Sequence, residues 1–319
     1  MNKNLVITSS PHFRAATTTR DIMLDVLVAL IPTLVLSVFI FGFRALILSA
    51  FCVIFCVLCE YVYRRLMKLS FTIGDLSAAV TGLILAFNLP VSLPLWMAAI
   101  GCFIAIVIVK QLFGGIGRNF ANPAITARIA LTISFVGPMT NWTAPRLFLS
   151  DAATSATPLA LADAATSATA GVTALPGYMD MFLGMISGSI GETCKLTLLI
   201  GGLYLVLRKV ITPTAPLAFV GTVFVLSWAL GADPVYHILA GGLMLGAIFM
   251  ATDYVTTPTT EMGKLIFGVG CGLITVIIRL YAGYPEGVSF AILLMNIVTP
   301  HIDRLCTIKA FGGARHKAL

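Results

Sequence analysis

The sequence predicts an all-α polytopic membrane protein with about ten transmembrane helices in two inverted five-helix halves, some of them broken or re-entrant. Three observations predict it: composition, the lengths of the apolar runs, and an internal repeat. Of the 319 residues, 59% are hydrophobic and 10% charged, and the mean hydropathy is +1.00. A soluble domain carries about a quarter charged residues, so this chain has too few to cover a water-facing surface.

A bilayer core of roughly 30 Å is crossed by about 20 apolar residues rising 1.5 Å each. The first twenty residues are polar and form a segment on the cytoplasmic side. No apolar core with a small-residue cleavage site precedes the first span, so a cleaved signal peptide is not expected. The first half occupies 21–137, with spans at 22–41 (kinked at Pro32), 45–66, 76–89, 95–113 and 124–137. A polar interval of Ala, Thr, Ser, Pro and Gly follows at 138–178. The second half, 179–306, opens with a short Gly-rich lead-in at 179–189. Its spans are 195–207, 216–230, 236–251, 265–281 and 288–305, and a basic tail at 307–319 ends the chain.

Charge orients the spans. With the N-terminus inside, sixteen Lys and Arg fall at inner ends, Lys110 and Arg128 among them, against four at outer ends: Arg44, Arg146, Lys195 and Arg279. That is a strong positive-inside bias. It accounts for the net charge of +7 as topogenic charge near anionic headgroups, without nucleic acid. Both termini are then cytoplasmic and the polar interval lies outside. The repeat aligns 106–121 with 275–290, placing Lys110 on Arg279, and 82–90 loosely with 246–258. Five spans per copy require the second copy to be inverted, and such repeats place ligand sites on half-helix ends near the midplane.

Several motifs stand out. F-G-G-I-G-R-N-F-A-N-P-A at 113–124 lacks a phosphate-loop ending and a surrounding βαβ unit. It fits two readings equally: a tight connection with Asn122-Pro123 opening a span, or a nest of N–H groups with Arg118, Asn119 and Asn122 cradling an anion or flavin edge. G-S-I-G-E-T at 188–193 offers Ser189 and Glu192, as a helix start capped by Ser189 or, favoured here, as part of a site. A carboxylate at membrane depth costs about 2.5–3.5 kcal/mol, which singles out Asp253, Glu286 and, third, Asp25 as ion-path candidates without a visible partner. Asp75, Asp233 and Asp303 read as interfacial or capping. Cys52, Cys56 and Cys59 read as small residues at a helix contact rather than cluster ligands, and no metal site is expected.

Within the polar interval, D-A-A-T-S-A-T at 151–157 resembles the acceptor pattern of flavin transferases, Asp-x-x-Ser/Thr-Gly/Ser-Ala-Thr, whose last Thr is esterified to the phosphate of FMN. Asp151 and Ser155 are the pattern residues around Thr157. The pattern recurs ending at Thr169; only Thr157 continues into Pro-Leu as the related form does, which makes Thr157 the expected acceptor, with Thr169, or both threonines, as the alternative.

Taken in order, S-P-H-F-R, K-Q-L-F-G-G-I-G-R-N-F-A-N-P-A, D-A-A-T-S-A-T-P-L, G-S-I-G-E-T, A-T-D-Y-V-T-T-P and Y-P-E-G-V-S-F-A-I-L-L-M-N span residues 9–303. Together they resemble the family that holds the RnfD component of Rnf-type ion-translocating ferredoxin:NAD oxidoreductases and the NqrB component of the sodium-pumping NADH:quinone oxidoreductase. The short N-terminus favours the Rnf member. The resemblance implies a urea-transporter-like fold, FMN on Thr157 at the outer side, and riboflavin held non-covalently. It also implies a bacterial or archaeal plasma-membrane location, flavin- and iron–sulfur-containing partner subunits, a flavin transferase for maturation, and translocation of Na⁺ or H⁺. No NAD fingerprint or cluster-ligand set is present, so the chain is expected to be inactive alone. The rival reading is a stand-alone channel or secondary transporter without flavin, since fold does not fix function.

Overall fold

The computed structural model describes residues 17–145, 156–166, 175–192, 194–282 and 286–307, and they are helical nearly throughout. The first part comprises α1 (Thr19–Phe41), α2 (Phe43–Leu66), α3 (Ser77–Phe87), α4 (Leu95–Phe103), α5 (Pro123–Ser134) and the short α6 (Val136–Thr140). α4 runs on as π-helical turns over Ile104–Gln111. Next come α7 (Pro158–Thr166) and α8 (Tyr178–Leu183). The rest comprises α9 (Lys195–Leu207), α10 (Thr214–Ala229), α11 (Pro234–Leu239), α12 (Leu243–Leu245, continued by a π turn over Gly246–Met250), α13 (Glu261–Tyr281) and α14 (Val288–Leu305).

Among the described residues, four helices, α1, α2, α13 and α14, are long and apolar enough to cross a membrane, and α3, α5, α9, α10 and the α4 run are shorter apolar helices. The surface is inverted relative to a soluble protein. Phe39 and Trp228 are 75% and 71% exposed, while Glu60, Lys110, Arg128, Glu192 and Lys195 are buried. Apolar side chains facing outward, with charged groups buried inside an otherwise apolar core, are what lipid, not water, stabilises.

Local chemistry sets the helix ends. Thr18 and Asp21 form a capping box at α1, with Asp21 N donating to Thr18 Oγ1 at 3.3 Å and Thr18 N to Asp21 Oδ2 at 2.8 Å. Asn122 caps α5 by accepting from the N–H groups of Ala124 and Ile125, with Pro123 in the first turn. Asp233 does the same for α11, ahead of Pro234. Asp75 accepts from Ser77 N at 2.8 Å, and Asp303 from Thr259 N at 3.0 Å.

Small residues let the helices approach. A Cβ at Gly82 would lie 2.7 Å from Cys52 O, so α3 sits directly on α2; Cys52 and Cys56 are buried at this contact. A Cβ at Gly201 would lie 2.3 Å from Ala29 O, and Thr33 and Thr197 hydroxyls meet at 3.2 Å, which joins α9 to α1. Asp25 also serves this joint: it accepts from Tyr204 Oη at 2.8 Å and pairs with Arg208 at 3.2 Å. The expectation of an unpartnered Asp25 is corrected; it is a helix–helix clasp.

The span expected at 236–251 is interrupted. α11 stops at Leu239, Gly241 adopts φ +65°, and the chain re-enters as α12. α3 is short as well, at eleven residues, about half a membrane thickness. Two broken elements thus end inside the protein. The face where α1 starts is called proximal below, and the face where it ends distal.

Candidate functional site

The break after α3 is closed by the G-S-I-G-E segment. Gly191 N donates to Phe87 O at 2.8 Å and Ile190 N to Leu89 O at 3.3 Å, satisfying carbonyls that the helix end leaves open. A Cβ at Gly191 would meet Phe87 Cβ at 2.6 Å, so only glycine permits this approach. The closure sets Glu192, 2% exposed, opposite Arg128 of α5, 5% exposed.

Arg128 is the centre of the site. One Nη donates to Asn88 Oδ1 at 2.8 Å. The other donates to Glu192 Oε1 at 3.1 Å and pairs with Glu286 Oε2, just before α14. Asn88 is oriented by its own donation to Ile84 O at 2.7 Å. The Lys195 ammonium donates to the Glu192 carbonyl, and Ser189 N reaches Glu192 Oε2 at 3.5 Å. Ser189 Oγ and Glu286 Oε1 are buried without a hydrogen-bond partner among the described residues. Glu286 was expected to lack a partner, and this too is corrected. Ser189 does not cap α9 either, since Cys194 occupies the N-cap position.

Thr157 lies beside this cluster on the distal side. It is buried and stands at the mouth of α7: its Oγ1 accepts from Ala160 N at 3.3 Å, and its carbonyl from Leu161 N at 3.0 Å. Pro158 O accepts from Tyr236 Oη at 2.6 Å. Leu159 packs with Met181, Ile186, Tyr236 and Ala240. A Cβ at Gly241 would lie 2.9 Å from Leu159 Cδ1 and 3.8 Å from Glu286 Oε1, so α7 and the carboxylate crowd one point. Asp151, Ser155 and Thr169 lie outside the described residues, as do Thr193, Tyr284 and Pro285. Nearby, the Tyr178 hydroxyl donates to Asp233. Burial opposes ionisation of Asp233, but Tyr178 and the N–H groups of Tyr236 and Val235 outweigh it and hold the carboxyl below its ordinary range.

On the proximal side of Arg128 lies a cavity of about 340 Å³. Apolar side chains of α1, α3 and α9 line it, with Lys110, Asn119, Asn122 and Asp253 as its charged and amide groups. That size and lining match small-molecule pockets. Asp253 accepts from Thr256 Oγ1 at 3.2 Å and Val255 N at 3.5 Å. Asn296 satisfies its surroundings with its amide nitrogen toward Thr256 O and its oxygen toward Asn122 N, at 3.2 and 3.1 Å. Arg118 is not among the lining residues; it is exposed and folds over Gly114. The proposed nest is largely spent on its own turn, since Gly114, Gly115 and Arg118 N–H groups donate to Gln111, Lys110 and Gly115 carbonyls.

A second ion-paired group was not anticipated. Glu60 of α2 pairs with Lys110 at 3.1 Å, accepts from Thr72 Oγ1 at 2.7 Å, and lies 3.6 Å from Arg64. Lys110 also donates to Ser77 Oγ at 2.6 Å. Lys110, Arg128, Lys195 and Arg279 are all buried; Lys110, Lys195 and Arg279 lie in the end turns of their helices, as the charge count expected, whereas Arg128 lies in the interior of α5. No group of three or more His, Cys, Asp or Glu suited to a metal occurs among the described residues.

Interrupted helices, a ligand-sized cavity and a buried charge cluster define a polytopic membrane protein that holds charged groups within the bilayer. Sequence comparison identifies which kind: residues 6–312 match the NQR2, RnfD, RnfE family, and the chain belongs to it. It is 46% identical to the D component of the Na⁺-translocating ferredoxin:NAD⁺ oxidoreductase complex of Acetobacterium woodii, over 98% of this chain and 97% of that one. It is 44% identical to the D component of the proton-translocating ferredoxin:NAD⁺ oxidoreductase complex of Clostridium ljungdahlii, over 99% and 98%. The D component of an ion-translocating oxidoreductase complex from Stutzerimonas stutzeri is 39% identical, over 93% and 94%.

Proposed function

We propose that this chain is the RnfD-type membrane subunit of an ion-translocating ferredoxin:NAD oxidoreductase, carrying FMN on Thr157 and a second flavin, riboflavin, in the proximal cavity. In this reading ten spans form two inverted five-helix halves, both termini face the cytoplasm, and Thr157 faces outward. Electrons reach and leave it through flavin- and iron–sulfur-containing partner subunits. The relatives are named for different ions at nearly equal identity, so the likeness does not choose between Na⁺ and H⁺.

The observation that carries this reading is the position of Thr157. A phosphoester on its Oγ would stand at the N-terminal end of α7, where the helix dipole and first-turn N–H groups favour negative charge. The orphaned Ser189 hydroxyl and Glu286 oxygen are further polar atoms available in the neighbouring cluster. In the cavity, Asn119, Asn122 and Asp253 would orient a flavin ring between apolar walls. Bound flavin supplies one-electron exchange coupled to proton uptake, while the chain supplies placement and field. Asp253 and Glu286 are the ion-path carboxylates, on opposite sides of Arg128; Asp25 is reassigned to holding α1 against α9. Because Thr157 is buried once α7 docks, the transferase would act on an undocked segment.

In-gel flavin fluorescence tests the reading. The purified chain, expressed with the transferase and run under denaturing conditions, should fluoresce; Thr157→Val should be dark and Thr169→Val bright. A dark wild-type band removes the flavoprotein reading, and the reverse pattern moves the site to Thr169.

A further inference from the structure

We infer that Arg128 is a tethered cation filling a monovalent-cation site, and that it seals the route between the proximal cavity and the distal face against free cations. The inference rests on the ion-translocating reading above but not on the presence of flavin.

Geometry carries it. Ile84 and Ala124 line the cavity. Asn88 and Arg128 each follow four residues later, one helical turn or about 6 Å further in. Beyond the guanidinium lies Glu286, whose Oε1, without a hydrogen-bond partner among the described residues, approaches the same point as the Arg279 guanidinium and Leu159 of the Thr157 segment. Arg128 therefore stands between cavity and distal segment, where the α3 break leaves no continuous helix wall.

The oxygens around it form a cage: Asn88 Oδ1 at 2.8 Å, Glu192 Oε1 at 3.1 Å, and Glu286 Oε2. Two carboxylates and an amide oxygen are the ligand chemistry that hard monovalent cations take. They come from sequence-distant segments, near residues 88, 192 and 286, so the cage exists only when those segments meet. A guanidinium fixed there satisfies the cage and opposes entry of a second positive charge. Fixed positive charge at a constriction is an established means of excluding cations from a pore. A redox-driven translocator needs such a seal, because a passive leak would dissipate the gradient it builds.

The test uses the whole complex in lipid vesicles, without electron donor, and follows radiolabelled Na⁺ uptake. Wild-type vesicles and Arg128→Lys vesicles should be tight. Arg128→Ala and Arg128→Gln should raise uptake about tenfold or more, the change given by lowering a barrier by ~1.4 kcal/mol, and guanidinium chloride should suppress the leak by refilling the cage. The Glu192→Gln/Glu286→Gln double variant keeps the cation and removes its counter-charges, so it should stay tight; it is read whether or not the Arg128 variants assemble. Tight Arg128→Ala vesicles, a leak indifferent to guanidinium, or a leaking double carboxylate variant would each overturn the inference. No electrons flow in this assay, so a complex without covalent flavin would give the same result, and the two readings fail separately.

Discussion

The protein holds two buried ion-paired clusters of similar chemistry and different construction. At the proximal end, Glu60, Arg64, Lys110, Thr72 and Ser77 come from α2, the α2–α3 connection, the start of α3 and the α4 run, all within the first half of the chain. At the distal break, Arg128, Glu192 and Glu286 come from segments up to 158 residues apart. Both oxygens of Glu60 are engaged, whereas Glu286 keeps one buried oxygen without a described partner, beside the Thr157 segment. Arg64 Nε is also without a hydrogen-bond partner among the described residues, so the contrast lies in the carboxylates: one with both oxygens engaged acts as a brace, while one with an open oxygen at a helix break is available for binding or exchange. Breaking each cluster in turn separates the two roles.

The largest effect is expected at the brace. Glu60→Ala leaves Lys110 buried and unpaired, and such a change costs about 3–5 kcal/mol. The measurable outcome is loss of assembled complex, seen by size-exclusion yield and thermal denaturation. If the variant assembled normally but lost ion coupling, the division of roles would be reversed.

Next in size is the distal carboxylate. Glu286→Gln keeps a polar group against Arg128, so the complex should assemble and keep the flavin proposed on Thr157. Donor-driven ion uptake should fall about tenfold, equivalent to ~1.4 kcal/mol in the coupled step. Asp253→Asn should act in the same direction, and full coupling in both would remove these residues from the proposed ion path.

A steric test of the break comes third. Gly191→Ala places a methyl against Phe87, and overpacking of this kind costs about 1–3 kcal/mol. Lower thermal stability with the Glu60 brace intact would show that the Gly-containing closure holds the distal cluster together; unchanged stability would show that α3 ends with slack. The smallest effects belong to the rim. Arg208 is 57% exposed, so Asp25→Asn should change stability by about 0–1 kcal/mol. The Tyr178–Asp233 contact involves a carboxyl held below its ordinary range, so its contribution is complete at neutral pH and is lost only as pH falls below about 4. Protease sensitivity near Tyr178, measured against pH, reads this directly.

Much of the site can be read from the sequence. Glu192 in G-S-I-G-E-T, Glu286 in Y-P-E-G and Asn122 before Pro123 stand out because polar residues on Gly- or Pro-broken segments are uncommon in so apolar a chain. Arg128 does not stand out when basic residues are counted only as markers of orientation. The same depth argument applied to acids would find it, since A-I-T-A-R-I-A-L-T buries a charge in an apolar helix. Glu60, inside C-V-L-C-E-Y-V, carries the same signal. What no local pattern reveals is that residues 88, 128, 192 and 286 converge, because that depends on how the broken helices meet.

The midpoint potential of the flavin proposed on Thr157, read in the intact complex, separates brace from working cluster in a single measurement. Arg128→Gln removes a positive charge from the cluster beside the Thr157 segment, which disfavours reduction and should lower the potential, whereas Glu60→Gln at the far cluster should leave it unchanged. An unshifted potential in Arg128→Gln, or an equal shift in both variants, would overturn that division.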